Sequence, residues 1–166
     1  LSRLEGGQYT RPSEVVVLAD IVANVFEALG AVVEEKGAHI SHAVPASLRV
    51  EADPVALEQV VFNLVDNALK YSGEGGSVTL GVREDAERVR VEVIDDGPGV
   101  PESHRSRLFE RFYRVDPGRS REQGGTGLGL AIVKHLVTSM GGSVGMTASE
   151  SGGALFWFEI PSASEV

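Results

Sequence analysis

The sequence predicts an α+β domain, a two-layer α/β sandwich whose mixed, mainly antiparallel sheet is covered on one face by about three helices. Three observations predict it. Segments with apolar residues at helical spacing are interleaved with short β-branched runs. The runs Val78 to Arg83 and Val89 to Ile94 alternate around a charged turn, Glu84 to Arg88, as a hairpin does. After the last helical segment the chain closes on a second strand pair.

The elements follow in order. Leu1 to Gly7 is short and ends in Gly6-Gly7, which reads as the tail of a preceding element, with the domain itself spanning residues 8–166. Val15-Val16-Val17 is a strand, and apolar residues at Ile21, Val25, Leu29, Val32 and Val33 predict one helix from Leu18 to Lys36. Ile40 to Val44 and Leu48 to Glu51 are short strands around Pro45, which fits only a turn or an edge. Asp53-Pro54 starts a helix that runs to about Tyr71, because the Asp can cap and a proline at the first helical position loses no needed hydrogen bond. After the hairpin, residues 101–126 are charged and glycine-bearing without a sustained period, so they form a long loop with one or two helical turns. Leu128 to Met140 is a buried helix ended by Gly141-Gly142, and Ser143 to Ser149 pairs with Ala154 to Ile160 across Glu150 to Gly153.

A chain of 166 residues with 42% hydrophobic content builds one core. No stretch reaches the roughly 18 apolar residues of a membrane span, so no direct membrane insertion is expected and the domain is expected to be cytoplasmic. The absence of cysteine excludes disulfides, thiolate catalysis and thiolate zinc sites. A net charge of −9 argues against a nucleic-acid partner. The charge is unevenly placed, since six of the twelve arginines (Arg105, Arg107, Arg111, Arg114, Arg119 and Arg121) fall in the irregular segment. That basic segment either docks an anion or is a solvated loop paired with surplus carboxylates.

Three polar constellations stand out. On the helix after Asp53, Asn63, Asn67 and Lys70 lie within roughly 60° of one another, opposite Leu57, Val61, Leu64, Val65 and Ala68. Two amide oxygens can ligate a hard cation and an ammonium can meet a phosphate, although an amphipathic helix with a polar outside gives the same pattern. Asp95-Asp96-Gly97-Pro98-Gly99 follows a strand directly, where a carboxylate can accept an exocyclic amine proton; it is also a plain turn sequence. Gly124 to Leu130 runs into a helix N-terminus, where free amides form an anion site. No G-x-x-x-x-G-K-[ST] is present, Ile132 stands where a dinucleotide motif needs its third glycine, and H-R-D and D-F-G are absent.

Taken in order, these features resemble the Bergerat ATP fold of sensor histidine kinases, gyrase-type topoisomerases, mismatch-repair ATPases and a heat-shock chaperone family. Asn63-Leu-Val-Asp-Asn67-Ala-Leu-Lys70-Tyr71 is similar to the N box, and Asp95-x-Gly97-x-Gly99 to the first glycine box. Phe109-Glu-Arg-Phe-Tyr113-Arg114 is similar to the F box and Gly125-Thr126-Gly127-Leu128-Gly129-Leu130 to the second glycine box. The resemblance covers roughly residues 8–161. It implies that Asn63 coordinates Mg²⁺, that Asn67 and Lys70 engage the phosphates of ATP, and that Tyr71 packs beside the nucleotide. It implies further that Asp95 reads the adenine amine, that Phe109 belongs to the nucleotide site, that Arg114 reaches the γ-phosphate, and that the Gly125 to Leu130 amides cradle the phosphates. Residues 101–126 then form a mobile ATP lid. One departure is Gly153-Ala154 where the family has Gly-Thr, which removes a hydroxyl near the adenine and leaves Asp95 and a water to read the base.

The hydrolytic members place a general-base Glu where this chain has Asn63, and an amide has no useful basicity. The resemblance therefore implies a protein-histidine kinase in which the γ-phosphoryl is kept for an imidazole, with Mg²⁺, Lys70 and Arg114 supplying alignment and charge neutralisation. The alternatives are a nucleotide-sensing module without phosphotransfer and a hydrolytic ATPase of the same fold. His39, His42, His104 and His135 all lack the His-Glu or His-Asp context of an acceptor helix and are expected to be structural or surface residues. Leu1 to Gly7 resembles the end of a dimerisation and phosphoacceptor domain, so that upstream domain and, through it, a response regulator are the expected partners. The parent protein would be a bacterial two-component sensor, with membrane attachment left open.

Overall fold

The computed structural model describes residues 13–114 and 128–163. Strand β1 (Glu14–Val17) pairs antiparallel with β3 (Arg49–Ala52) in a small two-stranded sheet. The main sheet has the order β2 (His39–His42), β4 (Ser77–Glu84), β5 (Arg88–Asp95), β7 (Ala154–Pro161), β6 (Ser143–Ala148). Only β2 and β4 run parallel; the other pairs are antiparallel, giving the mixed, mainly antiparallel sheet that the sequence predicts.

Alternation decides the faces. Val89, Val91 and Val93 on β5 stand opposite Ile160, Phe158 and Phe156 on β7, and all six are buried. With Val78 and Leu80 from β4 they make the floor of the core. On the other face Arg90 bonds Glu159 at 2.7 Å and lies 4.0 Å over the Trp157 ring, while Arg83 reaches Glu92 at 3.2 Å. Cross-strand ion pairs and one aromatic thus finish the face that no helix covers.

Helices α1 (Leu18–Ala28), α3 (Pro54–Ser72) and α5 (Gly129–Ser139) cover the core face. The predicted helix Leu18 to Lys36 is broken into α1 and α2 (Gly30–Lys36) at Leu29, whose φ −94° and ψ 2° leave the helical basin. Gly30 weakens the helix there, and buried Leu29 is retained as an anchor while α2 has no fully buried residue, Val32 and Val33 being only partly buried against the core. Asp53 Oδ1 accepts the Val55 amide at 3.0 Å ahead of Pro54, the N-terminal arrangement expected. From α3, Leu57, Val60, Val61, Leu64, Val65, Ala68 and Leu69 all enter the core, so its opposite face is polar. The hairpin turn is held by Asp85, whose Oδ1 accepts the Glu87 and Arg88 amides at 2.8 Å each. Those bonds, chiefly that from Glu87, hold its carboxyl below the usual range. Leu1 to Gly7 and the stretch 115–127 lie outside the described residues. Of the lid segment the structure describes helix α4 (Glu102–Arg105) and the turns that follow it.

Candidate functional site

The polar face of α3, the turn after β5 and the start of α5 meet at one end of the core. Asn63 Nδ2 donates to the Gly129 carbonyl at 3.3 Å, which joins two segments 66 residues apart. Asn63 Oδ1 accepts from Gln59 Nε2 at 2.8 Å, so both ends of that amide are engaged and its orientation is fixed. Gln59 lies one helical turn before Asn63, and that spacing was the signal that could have found it. One turn beyond Asn63 is Asn67, and Lys70 forms an i,i+4 pair with Asp66 at 3.0 Å. Such a pair contributes about 0.3–0.5 kcal/mol, which a phosphate can readily displace.

Asp95 ends β5 on the core face and is only 4% exposed. Its Oδ1 accepts the Gly97 amide at 3.0 Å and the Ala154 amide at 3.3 Å, leaving Oδ2 to meet a ligand. Burial pushes the carboxyl above its usual range; the Gly97 and Ala154 amides oppose that rise and the neighbouring Asp96 adds to it. Asp96 turns away to accept the Ser77 amide at 2.9 Å. Two glycines permit this geometry. A Cβ at Gly97 would stand 2.6 Å from the Tyr71 carbonyl oxygen, so the turn is pressed against the end of α3 beside Tyr71. A Cβ at Gly153 would stand 2.0 Å from the Asp95 carbonyl oxygen. Gly99, at φ +77°, adjoins Gly152 in the turn between β6 and β7 that also holds Gly153. The Ala154 backbone amide is a site group that the sequence did not reveal, because only its missing hydroxyl was legible there.

Phe109 packs edge-on against Phe156 of β7, with ring centroids 6.2 Å apart, which ties the F-box segment to the core. Arg114 follows Tyr113 at the end of that segment and is half-buried. Leu128, Gly129 and Leu130 form the start of α5, which has no side-chain cap, so its first-turn amides suit an anion. Gly125, Thr126 and Gly127, with Arg119 and Arg121, lie outside the described residues. Among the described residues no group of three or more His, Asp or Glu side chains could hold a metal ion. His42 accepts the Val44 amide at 3.2 Å and stacks edge-on with Phe26; His39 and His135 are exposed.

A buried carboxylate beside a glycine turn, a polar helix face and an uncapped helix N-terminus define a nucleotide-binding α+β domain. Residues 52–164 match the family of histidine kinase-, DNA gyrase B- and HSP90-like ATPases, and the chain belongs to that family. It is 35% identical over 167 residues to the sensor histidine kinase WalK of Bacillus subtilis, covering 99% of this chain and 27% of WalK. The chain thus spans about a quarter of the length of that relative. The catalytic domain of the histidine kinase ThkA superimposes with a TM-score of 0.79 and 29% identity, over 90% of this chain and 97% of that one. ThkA in complex with the response regulator TrrA matches with a TM-score of 0.77 and 27% identity, over 91% and 42% of the two chains. Full-length ShkA in complex with AMPPNP matches with a TM-score of 0.79 and 36% identity, over 95% of this chain and 32% of that one. The fold is that of histidine kinase catalytic domains.

Proposed function

We propose that this chain is the ATP-binding catalytic domain of a two-component sensor histidine kinase and that it presents the γ-phosphate to a histidine on a separate dimerisation domain. The observation that carries this reading is the convergence of Asp95, the Asn63 to Tyr71 face and the start of α5, bridged by the Asn63 to Gly129 hydrogen bond. ATP with Mg²⁺ supplies the phosphoryl group and the cation that neutralises it. Asp95 Oδ2 accepts the adenine amine proton, with Tyr71 beside the base and Gly97 and Gly99 allowing its approach. Asn63 offers its amide oxygen to Mg²⁺ in place of Gln59, while Asn67 and Lys70 engage the phosphates. The α5 amides, with those of Gly125 to Leu130, hold the phosphate chain, and Arg114 meets the γ-phosphate.

Asn63 is no general base, so water is not activated and the phosphoryl group passes to an imidazole nitrogen as the β,γ-bridging bond breaks and ADP leaves. The partners are a dimerisation and phosphoacceptor domain of the same protein and, through it, a response regulator. Among the described residues no helix is long and apolar enough to cross a membrane, and we assign the domain to the cytoplasmic side of a parent that can itself be membrane-attached.

Incubation with γ-labelled ATP and Mg²⁺, with and without the separately supplied phosphoacceptor domain, tests the proposal. Label is expected on the acceptor domain only and is expected to be acid-labile. Arg114→Ala is expected to slow transfer about a hundredfold or more, in line with other arginines placed on a transferring phosphoryl group. Stable label on the chain alone, or unchanged transfer by Arg114→Ala, would sink it.

A further inference from the structure

The stretch from Pro101 to Tyr113 is a succession of single turns: His104 bonds back to Pro101, Arg107 to His104, Glu110 to Arg107 and Tyr113 to Glu110. Leu108, which is buried, and Phe109, against Phe156, pin the middle of this stretch to the core. Beyond Phe109 the chain leaves the core, and Phe112 is 68% exposed with φ +63°. A side chain at positive φ is held there only by what surrounds it. Tyr113 supplies that hold. Its hydroxyl hydrogen-bonds His104 Nδ1, and the Arg107 guanidinium lies 4.5 Å over its ring while also bonding Glu110 at 3.0 Å. His104 and Arg107 come from successive turns and grip the ring from its edge and its face, so the left-handed step at Phe112 returns the chain to them and fixes where Arg114 begins.

We propose that His104 is a positioning residue that, through the Tyr113 hydroxyl, aims Arg114 at the γ-phosphate. The inference rests on the nucleotide reading above and deepens it. His104 touches no nucleotide in this scheme. Losing the latch leaves Asp95, Tyr71 and the α3 face intact, so adenine and the first two phosphates are held as before. Only the contact with the third phosphate is loosened. A merely structural histidine would weaken ATP and ADP alike, whereas a positioning one changes the ratio between them.

The test measures binding of AMP-PNP and of ADP, each with Mg²⁺, to the 166-residue chain and to Tyr113→Phe, His104→Ala and the double variant. Tyr113→Phe keeps the ring under Arg107 and removes only the hydroxyl, so it answers the question even where His104→Ala fails to fold. Each single variant is expected to weaken AMP-PNP about fivefold to tenfold, the worth of one hydrogen bond, with ADP affinity within twofold of wild type. The double variant is expected to be no worse than either single one, because both remove the same contact. Equal losses for both nucleotides, no loss for either, or additive losses in the double variant overturn the positioning role. A wild-type chain that binds neither nucleotide overturns the nucleotide reading itself, and this inference with it.

Discussion

Asp95 carries opposite obligations to stability and to binding, and Asp95→Asn separates them. Burial raises its carboxyl above the ordinary carboxylate value in the folded chain. Between that value and the raised one the folded state therefore holds more protons than the unfolded state. Stability falls as pH rises through this window, and at neutral pH the ionised group is a net cost to the nucleotide-free fold. Asn keeps Oδ1 as acceptor for the Gly97 and Ala154 amides, now at 3.0 and 3.3 Å, and removes the buried charge. The opposite flip is disfavoured, since it would point an NH₂ at two N–H donors. The variant's NH₂ therefore takes the place of Oδ2 and faces the adenine amine donor to donor. Loss of a hydrogen bond to a charged group costs about 1.5–3 kcal/mol, or roughly 10- to 150-fold in affinity. Thermal unfolding without nucleotide from pH 3.5 to 8, with calorimetric titration of ATP·Mg²⁺ at pH 7.5, measures both sides. The expected result is a variant at least as stable as wild type at neutral pH, with a flatter pH dependence and at least tenfold weaker ATP binding. ATP affinity within threefold of wild type, or a variant several degrees less stable at pH 7, would refute the assignment of Oδ1 to the backbone and Oδ2 to the base.

Lys70→Met should weaken ATP about tenfold through the lost charge-assisted phosphate contact, while losing the partly exposed i,i+4 pair with Asp66 should cost about 0.5 kcal/mol of stability; urea titration beside ATP titration checks both halves. Gly153→Ala forces a methyl to within 2.0 Å of the Asp95 carbonyl oxygen. It should cost about 1–3 kcal/mol and lower the melting temperature by about 2–12 °C, with ATP binding falling in parallel. The single tryptophan, Trp157, sits under Arg90 on the helix-free face of the sheet, so its fluorescence should change on urea unfolding and stay nearly constant on nucleotide addition. A nucleotide-dependent change as large as the unfolding change would mean that this face is coupled to the site.

Most of the fold was legible because its signals are local. The Asp53-Pro54 start, the alternation of Val89, Val91 and Val93, and the apolar stripe of α3 each follow from a period or a cap that a short window contains. The break at Leu29 was not legible, because Val32 and Val33 continue the helical spacing past Gly30 and still pack, partly buried, against the core. The parallel pairing of β2 with β4 was also hidden. It depends on α3 carrying the chain back across the sheet, a tertiary matter on which the short run around Ile40 is silent.

The site divides along the same line, and the division has a physical cause. Side chains proposed to meet a ligand are constrained in type and spacing, so Asn63, Asn67, Lys70 and Asp95 stand out as candidates in the chain alone. The groups that aim them are constrained only in place. Ala154 contributes an N–H that any non-proline residue at that position would offer, and Gln59 and His104 act through contacts to Asn63 and Tyr113 that other polar residues could make. Gly153 is the exception, because its constraint is the exclusion of a Cβ from the space over the Asp95 carbonyl, and a glycine there is visible in sequence although its reason is not. The supporting contacts are therefore free to vary in residue type while the groups they aim stay in place. The latch formed by His104, Arg107 and Tyr113 is such a contact, and it can tune the reach of Arg114 without altering any residue that touches ATP.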